Sequence, residues 1–219
     1  MSAKIGQIKR ARTPEQKNDR RDTILATAKT LFMEAGYEGF SMGLLSKRAG
    51  VAKGTLYLYF GTKEEVLLSL YTLEFERFCR ELTAGVTSQT TDAAFVSHLY
   101  ETSISDPIFL ALHARLGTVI DQNISLDALI TSKRAMADHF HAMVEKLAEP
   151  LALKQDQTLA ALSGISALLT GSYDGASNSV ITTETLPQDV ATFMGYFNMK
   201  ARFEKNARYI LQGIRASER

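Results

Sequence analysis

The chain has 219 residues, 45% of them hydrophobic and 22% charged, which are ordinary values for a folded soluble protein of one large or two modest domains. No apolar run approaches the roughly 18 residues needed to cross a bilayer. The basic start MSAKIGQIKRAR has no apolar core behind it, so a secretory signal is not expected. The single cysteine, Cys79, excludes an intrachain disulfide and a cysteine metal site, in keeping with a reducing cytoplasm.

The net charge of +1 conceals an asymmetry. Residues 1–63 carry 12 Lys+Arg against 5 Asp+Glu, and residues 64–219 carry 13 against 19. A basic module joined to an acidic one suits a nucleic-acid binder with a second domain, although a basic stretch can equally be a solvated tail.

Residues 1–12, with Lys4, Lys9, Arg10 and Arg12, lack apolar periodicity and read as a basic arm. Thr13-Pro14-Glu15-Gln16 has the form of a capping box and predicts a helix start. Ile24, Leu25, Ala28, Leu31, Phe32 and Ala35 then recur at helical spacing, and Gly36 ends the helix. Ser41 predicts the cap of a second helix with Leu44, Leu45 and Ala49 inward, and Gly50-Val51 makes a turn. A third helix of about two turns is expected from Lys53 or Gly54 to Phe60. Thr62, with Glu65 at the capping-box offset, opens a fourth helix to about Thr83, long enough to be a strut between two domains. Beyond it the spacing predicts helices over 91–103, 106–120, 125–148, 156–180 and 188–214, nine in all, and no strand.

A helix that reads the major groove must be short, exposed on one face and braced behind. In GTLYLYF, Leu56 and Phe60 lie four apart and form the brace. Lys53 and Gly54 stand at the helix entrance, where glycine permits close backbone approach. Thr55 can hydrogen-bond or touch a thymine methyl. The hydroxyls of Tyr57 and Tyr59, the Lys63 ammonium, and the helix start at Ser41 suit phosphates.

These residues resemble the DNA-binding domain of the TetR family of bacterial transcriptional regulators. The matching residues within 24–67 are Ala28, Leu31-Phe32, Ala35-Gly36-Tyr37, Phe40-Ser41-Met42, Ala49-Gly50-Val51, Gly54-Thr55-Leu56-Tyr57, Tyr59-Phe60 and Lys63-Glu64. Gly43-Leu44 departs from the family's usual pattern without touching anything central. The resemblance implies an all-α fold: an N-terminal helix-turn-helix domain with its basic arm (1–63), and a larger helical domain for ligand binding and dimerisation (64–219). It implies a homodimer on a palindromic double-stranded DNA operator, released by a small, largely apolar effector, with Tyr57, Tyr59 and Lys63 near the DNA backbone and Lys53 to Thr55 nearest the bases. No cofactor, metal or membrane partner is implied.

In the second domain the candidate pocket walls are Phe75, Phe78, Cys79, Phe95, Leu99, Leu112, Leu116, Ile120 and Phe140, with His98, His113, Tyr173 and Asp174 as polar groups. His139 and His141, two apart on a helix, face different ways and make a poor chelate. Small residues at helical spacing (Ala160, Gly164, Ala167, Gly171, Gly175) permit close helix approach. The last helix carries Tyr196, Met199, Phe203, Ala207, Ile210 and Ile214 on one face. Two such helices per subunit suit a four-helix dimer interface, and they suit packing within one subunit as well. No phosphate loop or nucleophile elbow is present, so an all-α enzyme is a remote reading. Control by a protein partner is the nearer alternative to a small molecule.

Overall fold

The structure is a computed structural model that describes residues 13–176, 186–196 and 198–217. Among them it contains helices and no strand: α1 (Pro14–Gly39), α2 (Met42–Arg48), α3 (Lys53–Tyr57), α4 (Lys63–Ala84), α5 (Asp92–Ile104), α6 (Pro107–His113), a π turn (Leu116–Ile120), α7 (Leu126–Ala148), α8 (Gln155–Ala176), α9 (Gln188–Gly195) and α10 (Met199–Ala216). The expected basic arm, residues 1–12, lies outside the described residues. None of the described helices is long and apolar enough to cross a membrane.

The capping chemistry sets the starts. Thr13 Oγ1 accepts from the Gln16 N–H while the Gln16 side chain accepts from the Thr13 N–H, with Pro14 in the first helical position. Ser41, Thr62, Thr91 and Asp106 cap α2, α4, α5 and α6 by accepting backbone N–H bonds. At Gly36, φ is +64° and the helical geometry of α1 breaks, leaving one further turn to Gly39.

Eleven elements replace the nine expected, through two splits. The predicted 106–120 helix divides into α6 and the π turn, where the Asp121 N–H donates to the Leu116 carbonyl, 2.9 Å. The predicted 188–214 helix divides because Asn198 caps a new helix, accepting from the Ala201 N–H at 2.9 Å. The third helix is shorter than expected. After Tyr57 the Leu58 and Tyr59 N–H groups donate three residues back, to Thr55 and Leu56, which tightens and ends the turn.

The contacts divide the described residues into two compact units. The first comprises 13–73 with 116–132, and the second 74–115 with the remaining described residues from 133 onward. In the first, α2 packs on α1 and α3. Its buried side chains include Ile24, Leu25, Leu31, Phe40, Leu45, Leu56 and Tyr71. In the second, α10 packs on α8 and α5, and α6 packs on α5 and α8. Phe95, Phe109, Leu147, Ile165, Phe203 and Leu211 are among its buried residues. Helices α4 and α7 each contribute residues to both units.

Candidate nucleic-acid interface and apolar cavity

The turn between α2 and α3 is a Schellman motif. The Val51 N–H donates to Ser46 O at 3.1 Å and the Gly50 N–H to Lys47 O at 3.4 Å. Gly50 has φ +66°, a conformation that costs a side-chain-bearing residue roughly 1–2 kcal/mol. This turn presents α3. Leu56 and Phe60 are buried behind it, as expected, and the Arg21 guanidinium lies 5.4 Å from the centroid of the Phe60 ring.

On the outer side, Lys53 and Gly54 are exposed, and Thr55 and Tyr59 are half-buried. Tyr57 is 47% exposed and Leu58 79%. Lys53 Nζ stands 6.0 Å from the Tyr57 ring centroid, so the cation and the phenol share one surface. Leu58 is not among the residues that the sequence singles out for DNA. Its signal is the spacing itself: what turns Leu56 and Phe60 inward turns the residue between them outward. Ser41 is exposed, with its hydroxyl accepting from the Leu44 N–H at 3.3 Å.

Lys63 is already engaged. Its ammonium lies 3.9 Å from the centroid of the Tyr37 ring and donates to the Tyr37 carbonyl at 3.4 Å. The Tyr37 hydroxyl donates to Glu64, which is only 8% exposed, at 2.7 Å. An ammonium has three N–H donors, so this anchorage leaves donors for a further acceptor.

A second clasp holds the start of α4. The Glu65 carboxylate accepts from the Gly61 N–H at 2.7 Å, from the Ser125 hydroxyl at 2.7 Å and from the Ser125 N–H at 3.3 Å. Thr62 Oγ1 donates to the Asn123 carbonyl at 3.2 Å. Burial works against the Glu65 charge, but the Ser125 and Gly61 donors outweigh it and hold the carboxyl below its ordinary range. The stretch directly after α3 is thereby fastened to the segment that leads into α7.

The second unit holds a partly open apolar cavity of about 40 Å³. Of the expected pocket residues, it brings together Phe75, Phe78, Leu99, His113 and Phe140. Phe109, Met143, Leu162, Ile165, Ser166 and Leu169 complete the lining and are not singled out by the sequence. Phe78 and Phe109 stack at 4.8 Å between centroids, and Phe109 stacks on His113 at 5.7 Å. Burial pushes the His113 imidazole below its ordinary value, against a hydrogen bond to the Ser166 backbone.

The other pocket candidates lie elsewhere. Phe95 and Leu112 are buried outside this lining, and Tyr173 is half-buried in α8. His98 approaches the Leu82 carbonyl at 3.2 Å and closes over Gly85. Leu116 and Ile120 sit in the π turn of the first unit. Cys79 borders a separate cleft with Glu76, Arg80 and His139, and burial raises its thiol to about 12, which makes it unreactive. No group of three potential metal ligands occurs among the described residues. The side chain of Asp174 and the surroundings of Gly175 lie outside what is described.

The face assigned to subunit pairing divides. Phe203, whose ring lies 5.6 Å from that of Tyr100 in α5, and Ala207 are fully buried within the chain, and Gly164 faces Ile210 of the same chain, so this side of α10 packs internally on α5 and α8. Met199 and Ile214 are half-buried. Ala160, Ala167 and Gly171 on α8 remain exposed, as do Leu159, Tyr196 and Tyr209.

A short helix braced from behind and presented by a glycine turn, among described residues that form helices and no strand, is a helix-turn-helix, the reading element of a class of DNA-binding proteins. Residues 24–70 match the family model described as bacterial regulatory proteins, tetR family, and residues 72–218 match the tetracyclin repressor-like C-terminal domain. The chain belongs to the TetR family.

Among curated relatives, the transcriptional repressor KstR of Mycolicibacterium smegmatis is 41% identical over 63 residues, 29% of this chain and 31% of that protein. The fatty acid metabolism regulator protein of Bacillus subtilis is 32% identical over 77 residues, 35% of this chain and 40% of that protein. The chain thus spans 31% and 40% of these two relatives' lengths. Among solved structures, a TetR transcriptional regulator from Rhodococcus aligns with a TM-score of 0.59 at 17% identity, covering 91% of this chain and 97% of that one. Thermus thermophilus FadR, solved in complex with lauroyl-CoA, aligns with a TM-score of 0.53 at 20% identity, covering 88% and 94%. At these identities the likeness concerns the fold.

Proposed function

We propose that the protein is a ligand-responsive repressor that binds a palindromic operator as a homodimer and is released by a small, largely apolar effector. The observation that carries this reading is the presence in one chain of an outward-facing α3 and an apolar cavity in the second unit. Residues 1–63 read DNA, and residues 64–219 bind the effector and pair the subunits.

On DNA, Lys53, Gly54 and Thr55 meet base edges, and Leu58 offers an apolar surface to a thymine methyl. Ser41, Tyr57, Tyr59 and Lys63 hold phosphates and set the register. Two such heads on a two-fold axis address half-sites about 34–36 Å apart. The pairing face comprises the exposed Ala160, Ala167 and Gly171 of α8 with Tyr209 of α10, beside the line where Gly164 of the same stripe meets Ile210 within the chain.

Release follows from differential affinity for two arrangements of the chain. The wall residues Phe75 and Phe78 belong to the same helix whose first turn holds Glu65. An occupant that displaces those walls shifts α4, and the Glu65–Ser125 clasp passes that shift to the stretch after α3. A coupling of about 1–3 kcal/mol is enough for a strong response.

The test is selection of bound genomic fragments followed by titrations at several salt concentrations. Specific binding is expected, and Lys63→Ala should weaken all selected sites alike and lower the salt slope by about one for each phosphate that Lys63 neutralises. Absence of any specific fragment refutes the regulator reading. Altered site preference with an unchanged slope refutes the phosphate role of Lys63.

A further inference from the structure

None of the described residues lining the cavity carries a charge. An ionised group entering it would leave water for surroundings with no counter-charge, which is strongly unfavourable. Two of the lining residues are polar, and they sit together: Ser166 Oγ lies 3.4 Å from His113 Nε2. Burial holds the imidazole toward its neutral form, so it adds no cation for an anionic guest. A serine hydroxyl has one donor and two lone pairs, so the contact with His113 leaves it capacity for another partner.

The phenylalanine rings run on from His113. Phe75, Phe78, Phe109 and His113 follow one another in a continuous stack, with 11° between the Phe78 and Phe109 planes, so the stacked phenylalanines meet the cavity with their edges. On α8, Leu162, Ile165, Ser166 and Leu169 reach the cavity at helical spacing, and Ser172 is next on that stripe. Ser172 is 1% exposed, and its hydroxyl oxygen has no hydrogen-bond partner among the described residues. A buried hydroxyl without a partner is unfavourable and marks a place where a polar guest or a water gains a bond.

Size narrows the class. An apolar cavity of about 150 Å³ accepts benzene, so this one must widen to take even one ring. Long chains and fused rings demand more displacement still.

We propose that the cavity takes an uncharged, single-ring aromatic molecule with one hydroxyl or carbonyl group, its ring meeting the edges of Phe78 and Phe109 and its polar group bonded to Ser166 beside His113. The proposal rests on reading the cavity as the effector site.

Three matched probes test it on the full chain near neutral pH by calorimetric titration: para-ethylphenol, ethylbenzene and para-ethylbenzoate. The phenol should bind saturably, at least about tenfold more tightly than the benzoate. Ser166→Ala should weaken the phenol about fivefold and change ethylbenzene by less than about twofold. That ratio compares two ligands on one variant, so a general loss of stability does not imitate it. Equal binding of the benzoate overturns the proposal. So does an unchanged phenol-to-ethylbenzene ratio in Ser166→Ala, or the absence of saturable binding by any probe. Operator binding is measured separately. The expected binding pattern without DNA release overturns the effector reading and leaves the ligand class standing. DNA release by a charged molecule, with no binding of the phenol, overturns the ligand class alone.

Discussion

Gly54→Leu is expected to leave the fold intact while weakening operator binding by on the order of 100-fold, from about 1–3 kcal/mol of binding energy removed at each of two half-sites. A Cβ built on Gly54 meets nothing within 4 Å, and the residue is exposed at the entrance of α3. The free protein therefore has room for the new side chain. Replacing glycine by leucine in a helix adds roughly 0.5–1 kcal/mol of stability, because glycine loses more backbone freedom on folding. The same side chain stands where the α3 backbone is proposed to approach the base edges. Urea denaturation and fluorescence anisotropy with a labelled operator read the two effects separately. Unchanged affinity would show that the entrance of α3 does not approach DNA closely.

Phe109→Ala should lower the unfolding free energy by about 3–5 kcal/mol. Phe109 is 1% exposed, stacks on Phe78 and His113, and helps to wall the cavity. A loss of that size is a large fraction of the roughly 5–15 kcal/mol that holds a typical domain folded. The vacated ring also enlarges the cavity toward the ~150 Å³ at which apolar cavities accept benzene. The variant should regain stability in ethylbenzene, by about 2.7 kcal/mol at a hundredfold excess over the dissociation constant. Denaturation with and without ethylbenzene checks both parts. A loss under about 1 kcal/mol would remove Phe109 from the core of this unit.

Features set by neighbours in sequence are legible from the residues. The caps at Thr13, Ser41 and Thr62 and the turn at Gly50 each depend on a few adjacent positions, and each stands where expected. The break before α10 is not legible, because Tyr196, Met199 and Phe203 continue a helical spacing across Asn198. The pairing face is hidden for a different reason. Periodicity shows that one side of α10 is apolar, but not whether it meets its own chain or a second copy. Phe203 and Ala207 meet their own. The cavity is half legible. Phe75, Phe78, Leu99, His113 and Phe140 stand out in the sequence, whereas Phe109 and Ser166 belong to helices whose apolar positions all resemble core until the helices are packed.

The π turn at Leu116–Ile120 separates chain length from register. A turn closed five residues back takes up one residue more than an α turn would, and here it stands between α6, capped at Ala114, and the non-helical residues 121–125 that lead into α7. Elsewhere in these helices an insertion rotates everything beyond it by about 100°. The Glu65–Ser125 clasp lies just past that point. The start of α4 is therefore held by a short non-helical connection rather than by the face of a neighbouring helix.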